Sequence, residues 1–126
     1  MPGVFEVHVK THFSAARSLE GYPGVCARVH GHTWTVEVHV RCEKLNEIGL
    51  GIDIGLIKKA TRKVLRNLDH SNLNELPEFQ EVNPTSENIA KYLHQALKKK
   101  LNTIGVQVSK VKVSETPGAG ASYWEE

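Results

Sequence analysis

Two long stretches of alternating apolar and polar residues limit the folds open to this chain more than any other feature of its sequence. In residues 32–42 the even-numbered positions carry Trp34, Val36, Val38 and Val40. In residues 4–14 the odd-numbered positions carry Phe5, Val7, Val9 and Phe13. A period of two residues is typical of a strand with one buried face. Both stretches are therefore predicted to be strands of an antiparallel sheet.

Two helices are predicted in the middle of the chain. Asp53 is a suitable N-cap for a helix that runs to about Leu68, because the apolar residues between them keep helical spacing. A second helix is predicted to begin after Pro84, with Thr85 or Ser86 as its N-cap. Both helices have one apolar stripe, which indicates packing against a single surface.

Strand alternation returns in residues 106–115, and a short last strand is predicted at residues 122–124. The order of two strands, two helices and two strands predicts an α+β fold, with a four-stranded antiparallel sheet and two helices on one face. We expect a single domain over residues 1–126. Four strands leave two open edges, and such edges favour pairing with other copies, so we predict a homo-oligomer.

Composition and charge exclude several classes of function. A net charge of +2, with much of the excess in Lys98–Lys100 at a predicted helix end, does not indicate nucleic-acid binding. No apolar run approaches the roughly 20 residues that span a bilayer, and the first residues do not read as a signal peptide, so no membrane partner is expected. Cys26 and Cys42 are too few for a disulfide framework, which favours the cytoplasm. Cys42 is interpreted as a small buried residue, and His94 on the second helix as solvated.

The segment from Cys26 to His32 is the strongest candidate for chemistry. His30 and His32 are separated by Gly31 at the start of a strand, so both imidazoles project to the same side. Two histidines so placed are a common way to present nitrogen ligands to zinc, although they are also compatible with two partly buried histidines near Trp34. A cation at this site would favour the reactive thiolate of Cys26.

Three further residues are candidates for the same site. Asp69 and His70 follow the first helix, where the alternative is a histidine favoured by the helix dipole. Glu115 ends a strand in phase with its apolar face, and a carboxylate there needs partners because its burial costs several kcal/mol. The alternative for Glu115 is a capped loop.

Several motifs in order and spacing make the sequence resemble the 6-pyruvoyl-tetrahydropterin synthase family. They are Cys26-x-x-x-His30-Gly31-His32, Gly51-Ile52-Asp53-Ile54, Leu68-Asp69-His70-x-x-Leu73-Asn74, Asn83-Pro84-Thr85-Ser86-Glu87-Asn88 and Glu115-Thr116. The resemblance extends from Phe13 to Trp124. The short step from Cys26 to His30 is similar to the 6-carboxy-5,6,7,8-tetrahydropterin synthases of queuosine and deazapurine biosynthesis.

The resemblance implies a fold, a reaction and a role for each candidate. The fold would be the tunnelling fold, in which strands join across subunits into a barrel, as a hexamer in this family. The enzyme would be a zinc-dependent lyase that converts 7,8-dihydroneopterin triphosphate to 6-carboxy-5,6,7,8-tetrahydropterin, releasing acetaldehyde and triphosphate. By resemblance, His30 and His32 would bind zinc, Cys26 would be the base, Asp69 and His70 would assist it, and Glu115 would bind the pterin.

One position departs from the family pattern. The family has a third zinc-ligand histidine where this chain has Arg17, which has no lone pair to offer a metal. Arg17 is in phase with Phe13, so its side chain is expected to point toward the metal site, where it could contact the substrate triphosphate. His12 could replace the missing ligand only if a bulge turned it inward. A two-histidine site could also be completed by Cys26, Glu115, water or substrate. The alternative functions are a pyruvoyl-type synthase or, because Arg17 replaces a zinc-ligand histidine, a catalytically impaired pterin-binding homologue.

Overall fold

The computed structural model describes residues 3–22, 24 and 27–126 of the chain. Its four strands are β1 (Phe5–Arg17), β2 (His30–Cys42), β3 (Val106–Thr116) and β4 (Ala119–Tyr123). They form one sheet in the order β1-β2-β3-β4, and every neighbouring pair is antiparallel. The predicted sheet is confirmed. The first two strands are longer than predicted, and β4 begins three residues earlier, which leaves Trp124 outside it and 55% exposed.

The two predicted helices are α1 (Ile54–Leu65) and α2 (Ser86–Leu101). Both N-caps act as expected, because the Asp53 carboxylate accepts from the Gly55 N–H and the Thr85 hydroxyl from the Asn88 N–H. Two single-turn 3₁₀ helices lie between α1 and α2, at Leu73–Glu75 and Pro77–Phe79.

Helix α1 is shorter than predicted because the chain tightens after Leu65. The N–H groups of Asn67 and Leu68 donate to carbonyls three residues back, at 3.2 and 3.0 Å. Leu68 remains fully buried. The tightened turn ends the helix and directs the following residues toward the sheet.

The core lies between the helices and one face of the sheet, as the alternation predicts. Trp34, Val36, Val38 and Val40 are all fully buried, and Trp34 stacks on Phe13 with ring centroids 5.0 Å apart. The interpretation of Cys42 as a buried residue is confirmed, and Gly51 packs so closely on it that a Cβ would lie 2.7 Å from the Cys42 Cβ.

The interpretation of His94 as solvated is wrong. The side chain is only 2% exposed, and its Nε2 donates to the carbonyl of Val108 at 3.1 Å. Its ring also meets Tyr123 edge-on, with centroids 5.2 Å apart. The buried face of α2 is therefore wider than its stripe of aliphatic residues.

Strands β1 and β2 pair without a register shift along their whole length, from Phe5 opposite Cys42 to Arg17 opposite His30. Alternation is therefore kept to the end of β1, and Arg17 lies on the core side, 3% exposed.

Among the residues described, no helix is long and apolar enough to cross a membrane.

Candidate active site

The predicted Asp69–His70 pair lies in a turn that is fastened to the end of β1. The Asp69 Oδ1 accepts a hydrogen bond from the Ser14 N–H at 2.9 Å, and the His70 N–H donates to the Ser14 carbonyl at 2.6 Å. Further along, the Ala16 N–H donates to the carbonyl of Ser71 at 2.8 Å. These hydrogen bonds hold both candidate side chains beside a strand that is 55 residues distant in sequence.

Asp69 and His70 also contact each other. The Nδ1 of His70 lies 3.0 Å from the Asp69 Oδ2, and the imidazole is 83% exposed. The backbone hydrogen bond from Ser14 lowers the pKa of Asp69, and His70 lowers it further, so the carboxylate stays charged at neutral pH. His70 has a positive φ of 59°, a conformation that non-glycine residues adopt at a cost. An exposed, oriented imidazole on a strained backbone is an arrangement suited to proton transfer.

His30 and His32 lie at the start of β2, which pairs with the end of β1. The centroids of the His32 and Trp34 rings are 4.9 Å apart, and the His32 Nε2 is 3.1 Å from the carbonyl oxygen of Glu115. The Nδ1 of His30 is 2.8 Å from the carbonyl oxygen of Arg28. Because a carbonyl oxygen only accepts hydrogen bonds, each of these two nitrogens carries the proton when its ring is neutral. The other nitrogen of each ring then has a free lone pair that could bind a metal.

Arg17 faces the core side, as its phase predicts, but it binds a residue of the candidate site. Its Nη2 forms an ion pair with the Oε1 of Glu115, and its Nη1 donates to the carbonyl of Pro84 at 2.8 Å. The guanidinium also lies over the Trp34 ring, 5.0 Å from the centroid. The side chain is thus fixed on three sides.

Glu115 is the meeting point of β3 and the start of α2. Besides Arg17, its Oε1 accepts a hydrogen bond from the Ser86 hydroxyl at 3.1 Å. Burial alone would raise the pKa of Glu115, but the hydrogen bonds and charge of Arg17 and the Ser86 hydroxyl together lower it. The expected partners of this carboxylate are therefore present, and it remains charged.

An open cleft of about 720 Å³ joins these elements. It is lined by Ser14, Ala15, Ala16, Gly31, His32, Thr33, His70, Ser71 and Glu115. A smaller cavity of about 260 Å³ also borders Glu115 and is lined by Ser86 and Gly120 among others. The structure thus brings His32, His70 and Glu115, predicted from separate parts of the sequence, to one cleft.

A zinc ion is the group that the resemblance implies here, and the described residues do not fit one held by three protein ligands. His30 and His32 offer one lone pair each, with ring centroids 6.2 Å apart. Arg17, opposite His30, offers none. Within the described parts of the chain, no group of three histidine, cysteine or carboxylate side chains could hold a metal ion. Zinc therefore stays a prediction.

Two other predicted residues have different outcomes. Cys26, predicted to be the base, lies outside the described residues. His12 is exposed and stays on the face of β1 opposite Arg17, because the strand pairs in regular register where a bulge would be needed to turn it. The proposal of His12 as a replacement metal ligand is wrong for this physical reason.

Sequence reasoning missed the polar residues that hold the loop after β1. The Asn74 side chain accepts from the Ser18 N–H at 2.8 Å and donates to the Ser18 carbonyl at 3.0 Å. Asn83 makes the same pair of bonds to the backbone of Glu20, at 3.0 and 2.8 Å. Both asparagines lie in the motifs that carry the family resemblance, and this position could have marked them as structurally important. No local sequence pattern indicated which backbone groups they bind.

The sequence matches one protein family over nearly the whole chain. The family described as 6-pyruvoyl tetrahydropterin synthase matches residues 6–126. A 6-carboxy-5,6,7,8-tetrahydropterin synthase of Bacillus subtilis is 33% identical, over 97% of this chain and 86% of that protein. A protein of the same name from Synechocystis is 33% identical over 89% of this chain and 87% of its own length.

Solved structures agree on the fold. The 6-pyruvoyl tetrahydropterin synthase of Caenorhabditis elegans superposes with a TM-score of 0.85 at 27% identity, covering 98% of this chain and 97% of that chain. An uncharacterised protein of Wolinella succinogenes superposes with a TM-score of 0.80 at 20% identity, covering 98% and 99% of the two chains. The four-stranded sheet with two helices is therefore the tunnelling fold.

Proposed function

Because this chain belongs to the 6-pyruvoyl tetrahydropterin synthase family, we propose that it is a lyase of the 6-carboxy-5,6,7,8-tetrahydropterin synthase type. Its substrate would be 7,8-dihydroneopterin triphosphate, and its products 6-carboxy-5,6,7,8-tetrahydropterin, acetaldehyde and triphosphate. The relatives that carry this name, at 28–33% identity, support the choice.

The observation that carries the proposal is that His70, whose Nδ1 lies 3.0 Å from the Asp69 carboxylate, lines the same cleft as His32 and Glu115. Abstraction of a proton from a substrate carbon needs a base of near-neutral pKa, held in a fixed orientation. Glu115 would accept hydrogen bonds from adjacent N–H groups at the edge of a pterin ring. Proton transfer is thus assigned to His70 and ring recognition to Glu115, and both residues line one cleft.

The described residues suggest how a proton would move. Since Nδ1 of His70 is engaged by Asp69, exchange with the substrate would use Nε2. The charged Asp69 stabilises the imidazolium that forms when His70 takes up a proton. Cys26 is assigned the role of partner base by resemblance alone. No step is assigned to a metal, because the described side chains do not fit one.

We also propose that copies of the chain assemble through the edges of the sheet. Strands β1 and β4 are the outer strands, each paired on one side within the sheet. An unpaired strand edge favours addition of another strand. A sedimentation experiment at micromolar concentration should show an oligomer, and a monomer alone would contradict this.

The experiment that tests the function is incubation of the purified protein with 7,8-dihydroneopterin triphosphate, with and without added zinc, followed by mass spectrometry of the products. A carboxylated tetrahydropterin with acetaldehyde supports the proposal. A pyruvoyl product would move the activity to the other branch of the family. Arg17, which lies opposite His30 and has no lone pair for a metal, favours a second candidate, a pterin-binding homologue without turnover, which would bind the substrate and leave it unchanged.

A further inference from the structure

Glu115 is already occupied by the chain itself. Its Oε1 receives both the Arg17 Nη2 and the Ser86 hydroxyl, and the guanidinium that reaches it is 3% exposed. The Glu115 side chain is 35% exposed and borders both the cleft and the smaller cavity. A ligand that arrives through either cavity therefore meets a carboxylate with one oxygen committed and the other accessible.

The guanidinium of Arg17 is chemically similar to the ligand edge that Glu115 is proposed to bind. A ring that carries an amino group beside a ring N–H presents two parallel N–H donors joined through one carbon, which is the arrangement in a guanidinium. Arg17 uses only one nitrogen on Glu115. Its Nε is buried and has no hydrogen-bond partner among the described residues, so the pair is monodentate.

A ligand that binds both oxygens of Glu115 competes for Oε1 with two donors, the Arg17 Nη2 and the Ser86 hydroxyl. Arg17 is the charged donor of the two, and its displacement leaves a buried cation without its counter-ion, which is strongly unfavourable. The other contacts of Arg17, to the Pro84 carbonyl and the Trp34 ring, hold the guanidinium next to the carboxylate, so it competes at high effective concentration.

We propose that Arg17 is an internal competitor for Glu115 and that it sets the affinity of the site for heterocycles with adjacent N–H donors. By competing for Glu115, Arg17 determines which ligands the site accepts, and it lowers the affinity of the site for pterins. The inference rests on the proposed function, because it takes Glu115 as the residue that binds the ring.

The test is equilibrium binding of neopterin, followed by its fluorescence, to the full chain and four variants. Arg17→Met keeps the length and the contact with Trp34 but cannot donate, and it should bind neopterin at least tenfold more tightly than the wild type. Ser86→Ala is the matched control, since it removes the other donor to the same oxygen, and it should change affinity less than threefold. Glu115→Gln should weaken binding, and Arg17→Met/Glu115→Gln should lose the gain of the single Arg17 variant.

The outcomes separate this inference from the proposed function. If Glu115→Gln weakens binding and Arg17→Met leaves it equal or weaker, Arg17 does not compete, and the role of Glu115 stands. If Glu115→Gln changes nothing in either background, Glu115 does not bind the ring and both proposals fail. Should Arg17→Met not unfold cooperatively, Arg17→Gln answers the question, because a neutral amide cannot form the ion pair with Glu115: a gain of at least threefold supports competition and an unchanged affinity overturns it.

Discussion

The carboxylate of Asp69 bridges the backbone of Ser14 and the ring of His70. One oxygen accepts the Ser14 N–H at 2.9 Å and the other faces the His70 Nδ1 at 3.0 Å. The same group therefore fastens a turn to β1 and orients the imidazole. A change at Asp69 can affect folding and proton transfer separately, which makes the two roles distinguishable.

We expect Asp69→Asn to remove activity with little loss of stability. The amide oxygen can still accept the Ser14 N–H, but an amide NH₂ facing His70 favours the wrong tautomer of the ring. The turnover number should fall about 10²–10⁴-fold. Steady-state kinetics beside thermal unfolding would check this, and an active variant would exclude Asp69 from proton transfer.

The positive φ of His70 predicts that two truncations at this position differ in stability. Both His70→Gly and His70→Ala should abolish proton transfer through this residue. Glycine adopts a φ near 59° without strain, whereas alanine does not, so the glycine variant should be more stable by about 1 kcal/mol. Urea unfolding of the two variants measures the difference. Equal stabilities would mean that the backbone at this position relaxes in solution.

Replacing Arg17 by histidine should create tighter zinc binding. Position 17 pairs with His30 on the side of the sheet that carries His32, so a third imidazole would join two available lone pairs. Competition with a chromophoric chelator should show an affinity at least tenfold above that of the wild type. Arg17→Gln, which removes the cation without adding a ligand of this kind, is the control. An equal gain in both variants would assign the effect to loss of charge repulsion.

The burial of His94 predicts that stability falls at mildly acidic pH. Burial lowers the pKa of His94, and the hydrogen bond to Val108 only partly offsets this. The unfolded chain, with an ordinary histidine pKa of about 6.5, therefore binds more protons than the folded one below that pH. Stability should be full above about pH 6.5 and decline as the pH falls toward the lowered pKa of the folded state.

His94→Gln is the variant that isolates this effect. Glutamine can still donate to the Val108 carbonyl but does not titrate, so the loss of stability between about pH 7 and 5 should become shallower. Denaturant unfolding at several pH values gives the slope. A slope unchanged by the substitution would assign the acid sensitivity to other groups.

Gly51→Ala should destabilise the fold without changing the candidate active site. A Cβ at this position would lie 2.7 Å from the Cys42 Cβ and 2.9 Å from its Sγ, so the backbone or the strand end must shift. The expected cost is about 1–3 kcal/mol in the free energy of unfolding. Gly3→Ala, where a Cβ meets nothing within 4 Å, is the control and should be neutral.

Alternation and capping predicted most of the fold because both are local. The buried faces of β1 and β2 and the caps at Asp53 and Thr85 were legible from a few neighbouring residues. The end of α1 was not, because its last turn tightens in order to bring Asp69 to β1. The burial of His94 was missed because β3 and β4 cover α2 beyond its aliphatic stripe, through the carbonyl of Val108 and the ring of Tyr123.

The candidate site was predictable in its members but not in its contacts. Phase alone placed the Arg17 side chain on the core side, correctly. Its partner is 98 residues away and depends on where β3 ends relative to the start of α2. The same geometry brings in Ser86, which sequence analysis treated only as a cap. Contacts of this kind arise from the register of three elements together.

The fastening of the 69–72 turn to β1 has a consequence for assembly. Ser14 and Ala16 exchange hydrogen bonds with this turn, and Ala16 forms a parallel bridge with Asn72. The last part of the outer edge of β1 is therefore already paired within its own chain. A strand from another copy has only the part of β1 before Ser14 on which to align, so the turn that carries the proposed proton-transfer residues also restricts the register in which subunits can join.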